Sequence, residues 1–270
     1  MKYYISTISD VVCVEGEGGW EKLSYADRTA PLAVEYGLGL EIAEFCISEN
    51  MEDKFDNVLP HVEKNAAAVK DKVLHAPYNE LFPQAIEPLA VEAARRRYDQ
   101  AYGYCKRFGA DKMIVHANYV EALYFPGWFI DRHVDFWKRF LAEHPEGAVI
   151  CVENVMENDP ELILSILRRV DDPRLRMCLD LGHANLSDVD PADWIRRCAP
   201  LISHYHIHNN NGPNPVRRSL GDMHAALGKG VMDMKALLDL AEELTPNATA
   251  AIESYAPEES AQWLRDNKYI

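Results

Sequence analysis

Two histidines, a glutamate, an Asp-x-x-His, a further histidine, an Asp-x-His and a final glutamate recur along the chain. They are His75, His116, Glu153, Asp180 with His183, His206, Asp222 with His224, and Glu253. Most of them close a short apolar run. Imidazole nitrogen and carboxylate oxygen together form the ligand set of Zn, Mn, Fe or Co sites. A carboxylate set against buried apolar sequence is costly unless it is paired or metal-bound. Glu153 ends VICVE, Asp180 ends MCLD and Glu253 ends AAIE, so three acids share that position. Asp180 and His183 are three apart, and a turn leaving a strand can aim both inward. His204, His206 and His208 alternate with Tyr205 and Ile207, which puts all three on one face of a strand. One of them can bind metal while another hydrogen-bonds a ligating carboxylate.

The elements that must position these residues follow from the pattern. Eight apolar runs read as strands: YYISTIS, LGLEIAEF, KVLHAPY, KMIVHAN, AVICVEN, RMCLDLG, ISHYHIH and ATAAIESY. Amphipathic segments separate them at 24–36, 53–70, 85–108, 127–143, 159–170, 190–199 and 233–244. Ser24 is the expected N-cap of the first helix, with Gly37 just past its end and Gly109 past the third. Asp159 or Pro160 opens the fifth and Asp190-Pro191 the sixth. Eight such units predict an α/β fold, a single-domain (β/α)8 barrel spanning residues 1–270, close to the ~250 residues such a barrel needs. The rival is an open doubly wound sheet. No Gly-x-Gly-x-x-Gly follows the first strand, and the charged strand ends are spread round the sheet instead of meeting at one switch point. In a closed barrel every one of those strand ends lies at the same rim, where barrel active sites are built.

The balance of 43 acids against 28 bases gives a formal charge of −15. That excludes general attraction to nucleic acid or anionic membrane. No apolar run reaches the ~18 residues of a membrane span, and the N-terminal segment is too short and polar for a secretory leader. A cytoplasmic protein is expected. The six cysteines form no C-x-x-C pair and are read as reduced thiols.

These residues carry a resemblance. The chain resembles the xylose isomerase-like barrels, the superfamily holding endonuclease IV (the type-2 apurinic/apyrimidinic endonucleases) and many sugar isomerases and epimerases. HAPYN, VHAN, VENV, CLDLGHAN, HIHNNNG, GDMHAALGKG and IESY carry it in order, from the third strand to the eighth. The resemblance implies a metal site drawn from His75, His116, Glu153, Asp180, His183, His206, Asp222, His224 and Glu253, holding one to three divalent ions, Zn or Mn foremost. It puts Tyr78 beside the pocket. Three departures stand out. Asn209 replaces an Asp, Lys229 replaces a Glu, and Gly212 stands where epimerases place an Arg. Arg217 and Arg218 lie a little further on.

The full set of nine resembles the three-zinc arrangement used for phosphodiester cleavage. The epimerase branch resembles a simpler site of Glu153, Asp180, His206 and Glu253, whose two glutamates move a proton. The leading expectation is a metal-dependent isomerase or epimerase of a sugar or sugar phosphate. Glu153 and Glu253 form its acid/base pair, and His183 holds a substrate oxygen or a further metal. Tyr78, His208, Arg217 and Trp128 are weaker substrate contacts. The alternatives are an endonuclease IV-like phosphodiester hydrolase and a non-catalytic barrel with a structural metal. Nucleic acid is not the expected partner, and a homo-oligomer is compatible with the sequence. Phe82, Tyr124, Phe125 and Trp128 read as a loop aromatic cluster. His61, His133 and His144 read as surface residues, and Glu41 and Glu44, on the second strand, read as barrel-lining residues or partners in core-to-rim salt links, with no chemistry assigned.

Overall fold

In the computed structural model, residues 1–10, 14–16, 19–21, 27–121 and 123–270 are described. Eight parallel strands form a closed barrel. They are β1 (Lys2–Ser6), β2 (Gly39–Ile42), β3 (Lys72–His75), β4 (Lys112–His116), β5 (Val149–Glu153), β6 (Leu175–Asp180), β7 (Ile202–Ile207) and β8 (Thr249–Ile252). They lie in sequence order round the barrel, and β8 pairs with β1 to close it. The strands are buried on both faces, by the barrel interior on one side and helices on the other. That is why they read as continuous apolar runs and not as alternating ones.

Helices α1 (Thr29–Tyr36), α2 (Phe55–Ala68), α3 (Pro88–Phe108), α4 (Pro126–Glu143) and α5 (Glu161–Val170) follow the first five strands in turn. Two helices, α6 (Leu181–Leu186) and α7 (Pro191–Cys198), follow β6. Helix α8 (Met234–Leu244) follows β7, and α9 (Pro257–Asp266) follows β8. The sequence pattern anticipates all of these except α6 and α9. A short antiparallel pair, Val14–Gly16 with Gly19–Glu21, lies between β1 and α1. The expected N-cap Ser24 falls outside the described residues. Among the described residues no helix is long and apolar enough to cross a membrane.

Local chemistry sets the helix ends. Gly37 and Gly109 take φ of 70° and 71°, the left-handed stop that a Cβ disfavours. Asp190 caps α7 by accepting the Ala192 N–H, and Asp233 caps α8 by accepting that of Ala236. Between α3 and α4 the outer wall is aromatic: Tyr98 stacks on Trp137, ring centroids 5.7 Å apart. His133 lies in this wall. It is fully buried, contrary to the expectation of a surface residue. Its Nε2–H donates to the Ala117 carbonyl, 3.0 Å away, and its Nδ1 accepts the Trp137 indole N–H. Helical position alone does not reveal that His133 lies on the inward stripe of a helix with an apolar partner. His61 and His144 are half-buried.

The strand register delivers the site. His116 is level with Glu153 across β4 and β5, and Asp180 is level with His206 across β6 and β7. All are at the C-terminal ends of their strands.

Candidate functional site

One cavity of about 200 Å³ opens at the C-terminal mouth, lined by His75, Tyr78, His116, Glu153, His183, Asp222, His224 and Glu253 among others. The chain therefore brings together residues from β3, β4, β5, β8, α6 and the loop after β7. Asp180 and His206 lie just beneath, fully buried. Asp180 closes β6 and caps α6, its Oδ1 accepting the His183 N–H at 2.6 Å. A single turn thus points both members of the Asp-x-x-His pair at the mouth.

Three groups of donors can be distinguished. In the first, His75 Nε2 and His116 Nε2 both lie 3.3 Å from Glu153 Oε2. In the second, His206 Nδ1 lies 3.1 Å from Glu153 Oε1, 3.4 Å from Glu253 Oε2 and 3.9 Å from Asp180 Oδ2. In the third, Asp222 Oδ2 lies 3.2 Å from His183 Nε2 and 3.5 Å from His224 Nε2, and the His208 ring stacks on His224 at 3.9 Å. Glu153 links the first two groups, and its Oε1 is also 3.5 Å from His183 Nδ1.

The donor set suits cations. His75 Nδ1, His183 Nδ1 and His224 Nδ1 each lie 2.7–2.9 Å from a backbone carbonyl, of Ala76, Asn154 and Glu253. A carbonyl only accepts, so each Nδ1 carries the proton and each Nε2 is left for the mouth. Those Nε2 atoms face carboxylate oxygens at 3.2–3.5 Å. Two lone-pair atoms so placed repel unless a proton or a metal ion screens them. His206 Nδ1, Asp180 Oδ2, Asp222 Oδ1 and Glu253 Oε1 are buried without a hydrogen-bond partner. Orphaned buried donors and acceptors of this kind are rare in proteins and call for an explanation. His183, His208, Asp222 and His224 form one group able to hold an ion; His75, His116 and Glu153 form another.

The electrostatics separate the two glutamates. Burial alone would raise Glu153, but the facing His206 and His116 hold it well below the usual carboxylate range. Burial pushes Glu253 well above that range, with Glu41, Glu153 and Asp180 adding to the rise against the pull of His206. The two carboxyls are thus pushed in opposite directions, the division that acid/base pairs use. Burial opposes a charge on His183, yet Asp180, Asp222 and Glu153 raise it well above the ordinary histidine range. His206 is raised likewise, by Cys178, Glu153, Glu253 and Glu41 against burial. Burial lowers His116.

The weaker substrate contacts are divided. The Tyr78 ring stacks on His116 at 4.2 Å and forms a wall of the cavity. His208 Nε2 lies 3.2 Å from Asp180 Oδ1. Arg217 is exposed and absent from the cavity lining, whereas Arg218 contacts Asn158 and Asp188 and lines a small pocket shared with His183 and Asp222. Trp128 is half-exposed, edge-on to Phe125 and away from the cavity. Tyr124, expected in the same loop cluster, is buried. Asn209 fills a structural place: its amide donates to the Leu227 and Met232 carbonyls and its Oδ1 accepts from Asn210. Lys229 is exposed and pairs with Glu259. Glu41, expected to line the barrel or form a core-to-rim salt link and given no chemistry, is a fully buried carboxylate inside the barrel. Its signal was an acid in the middle of the apolar run GLEI.

Fold and site define a parallel eight-stranded TIM barrel with a histidine–carboxylate mouth. The chain belongs to the xylose isomerase-like TIM barrel family, whose model matches residues 37–267. An uncharacterized protein of Methanocaldococcus jannaschii, MJ1311, is 26% identical over 200 residues, 67% of this chain and 64% of that protein. The chain thus spans less than two-thirds of that relative's length. Among solved structures, a D-tagatose 3-epimerase-like protein superposes with a TM-score of 0.77 at 18% identity, over 100% of this chain and 96% of that one. The IOLI protein with a bound zinc atom gives 0.75 at 16% identity, over 99% and 96%. D-psicose 3-epimerase from Clostridium cellulolyticum H10, with D-tagatose, gives 0.72 at 14%, over 100% and 99%. At these identities the likeness is one of fold.

Proposed function

We propose that the protein is a divalent-metal-dependent isomerase or epimerase of a small polyhydroxylated carbonyl compound, a sugar or sugar phosphate. One observation carries this reading: three carboxylates, at the ends of β5 and β6 and just after β8, converge within 3.1–3.9 Å of His206 Nδ1, which is buried without a hydrogen bond. Glu153, Asp180, His206 and Glu253 would hold the cation, which when bound polarises a substrate carbonyl and stabilises negative charge developing beside it. Glu153, held ionised by its histidines, takes a proton from the carbon next to the carbonyl. Glu253, on the other side of the cavity, returns one. They come from strands three places apart round the barrel and both line the cavity, so substrate lies between them. The stacked Tyr78 and His116 rings offer a flat wall to the apolar face of a sugar. Among the described residues the cavity lining holds no Lys or Arg, which suits a neutral polyol more than a polyanion. The sugar epimerases among the similar structures support the same class.

A second reading rests on the separate group of His183, His208, Asp222 and His224. A further ion there would suit a multi-metal phosphodiester hydrolase. The two readings part in one experiment. Metal-loaded protein is incubated with a panel of ketoses and their phosphates in deuterated water, and in parallel with a duplex containing an abasic site. Deuterium incorporation beside the carbonyl, lost by about 10²–10⁴-fold in Glu153→Gln and Glu253→Gln, supports the isomerase. Metal-dependent nicking of the duplex with no exchange into any sugar replaces it with the hydrolase.

A further inference from the structure

Glu41 lies on β2, fully buried inside the barrel and below the mouth. Its Oε2 lies 3.1 Å from His206 Nε2 and 3.3 Å from His204 Nε2. Its Oε1 has no hydrogen-bond partner. His204 is tied in turn to the Thr249 hydroxyl through Nδ1. Strands β2 and β7 are not neighbours, so this contact crosses the barrel interior. A lone carboxylate there is a poor way to fill a core. Its burial carries a desolvation cost that only its contacts with the two histidines offset.

We infer that Glu41 is a positioning residue, which fixes His206 with its proton on Nε2 and its Nδ1 lone pair aimed at the Glu153–Asp180–Glu253 cluster. An imidazole can present only one bare nitrogen while the other holds a proton, and the partner of the far nitrogen decides which. Here the far nitrogen is Nε2, the reverse of His75, His183 and His224, whose Nδ1 atoms meet backbone carbonyls. Among the described residues no backbone carbonyl bonds His206 Nε2, which meets Glu41 inside the barrel. Only a side chain reaching in from across the barrel can supply the acceptor. His204 keeps Glu41 in place by occupying the same oxygen from the next inward position of β7. Glu41 is not among the described residues that line the mouth cavity, so its effect acts through the direction and basicity of one ligand.

This inference rests on the metal site of the proposed function but not on the substrate. The test measures zinc and manganese affinity of the full chain by chelator competition, with thermal unfolding of the metal-free protein recorded alongside. Glu41→Gln and Glu41→Leu are each expected to weaken binding at the Glu153–Asp180–His206–Glu253 site by about 10–100-fold. The Leu variant is expected to destabilise the metal-free protein as well, because it leaves two buried imidazole nitrogens without their acceptor, whereas the near-isosteric Gln variant keeps the fold and carries the comparison. A merely structural role predicts unchanged affinity in both variants, with a less stable metal-free protein as the whole of the effect. That result overturns the inference while leaving the metal site intact. A wild type that binds no divalent ion overturns both. A wild type that binds metal yet exchanges no sugar proton removes the proposed reaction and leaves Glu41 in its role.

Discussion

Acidification should unlock the wall behind β4 through one residue, His133. Burial pushes its imidazole from the ordinary value near 6.5 down to about 3, against the small opposing pull of the Ala117 carbonyl. It is therefore neutral in the native state, with Nε2–H on that carbonyl and Nδ1 receiving the Trp137 indole. Ala117 follows His116 directly, so the contact braces the backbone that carries a mouth histidine. In the unfolded chain His133 regains its ordinary affinity for protons. Between pH 6.5 and about 3 the unfolded state binds a proton that the native state does not, so stability falls as pH falls. The slope is ~1.4 kcal/mol per pH unit, which makes ~2 kcal/mol between pH 6.5 and 5. Other groups titrate in the same range, so the measurement is a difference. Urea unfolding of the metal-free wild type and of His133→Gln is compared at pH 7, 6, 5.5 and 5. The wild type's advantage over the variant should shrink by that ~2 kcal/mol across the range. A gap that stays constant to within ~0.5 kcal/mol would mean that His133 titrates normally and that the buried, neutral assignment is wrong.

Three further outcomes bear on the mouth. A Cβ on Gly182 would sit 2.0 Å from the His208 ring, so Gly182→Ala should displace His208 from its stack on His224; loss of roughly tenfold or more in affinity for a second metal equivalent, with the first unaffected, is the expected calorimetric result. Metal removal by chelator should lower the thermal midpoint, since an ion at 100 times its dissociation constant stabilises by about 2.7 kcal/mol. The surrounding carboxylates raise the proton affinity of His183 and His206, so an ion bound at their nitrogens competes with protons. Affinity should therefore rise with pH and show a buffer-dependent heat; a heat independent of buffer ionisation would contradict the proton assignment.

Much of this arrangement could be read from the chain alone. The barrel is local in origin: each βα unit announces itself by an apolar run, an amphipathic run and a stop such as Gly109. Eight of them leave few ways to close. The strand-end positions of His75, His116, Glu153, Asp180 and Glu253 follow from the same local pattern, because a parallel barrel gathers all its strand ends at one rim. Helices α6 and α9 escaped because the six residues after Asp180 are too short for a periodic signal, and α9 follows the last strand, past the repeat that revealed the rest.

What only the tertiary structure decided depends on contacts between residues far apart in sequence. Trp128 and Trp137 are alike as letters on one helix; the packing of α3 buries one and leaves the other half-exposed. Arg217 and Arg218 are adjacent, yet only the second points at Asn158 and Asp188. Glu41 and His206 are 165 residues apart, and nothing local to either marks the pairing. Their meeting is a property of barrel closure, which turns the inner faces of β2 and β7 toward each other across a space that no backbone enters.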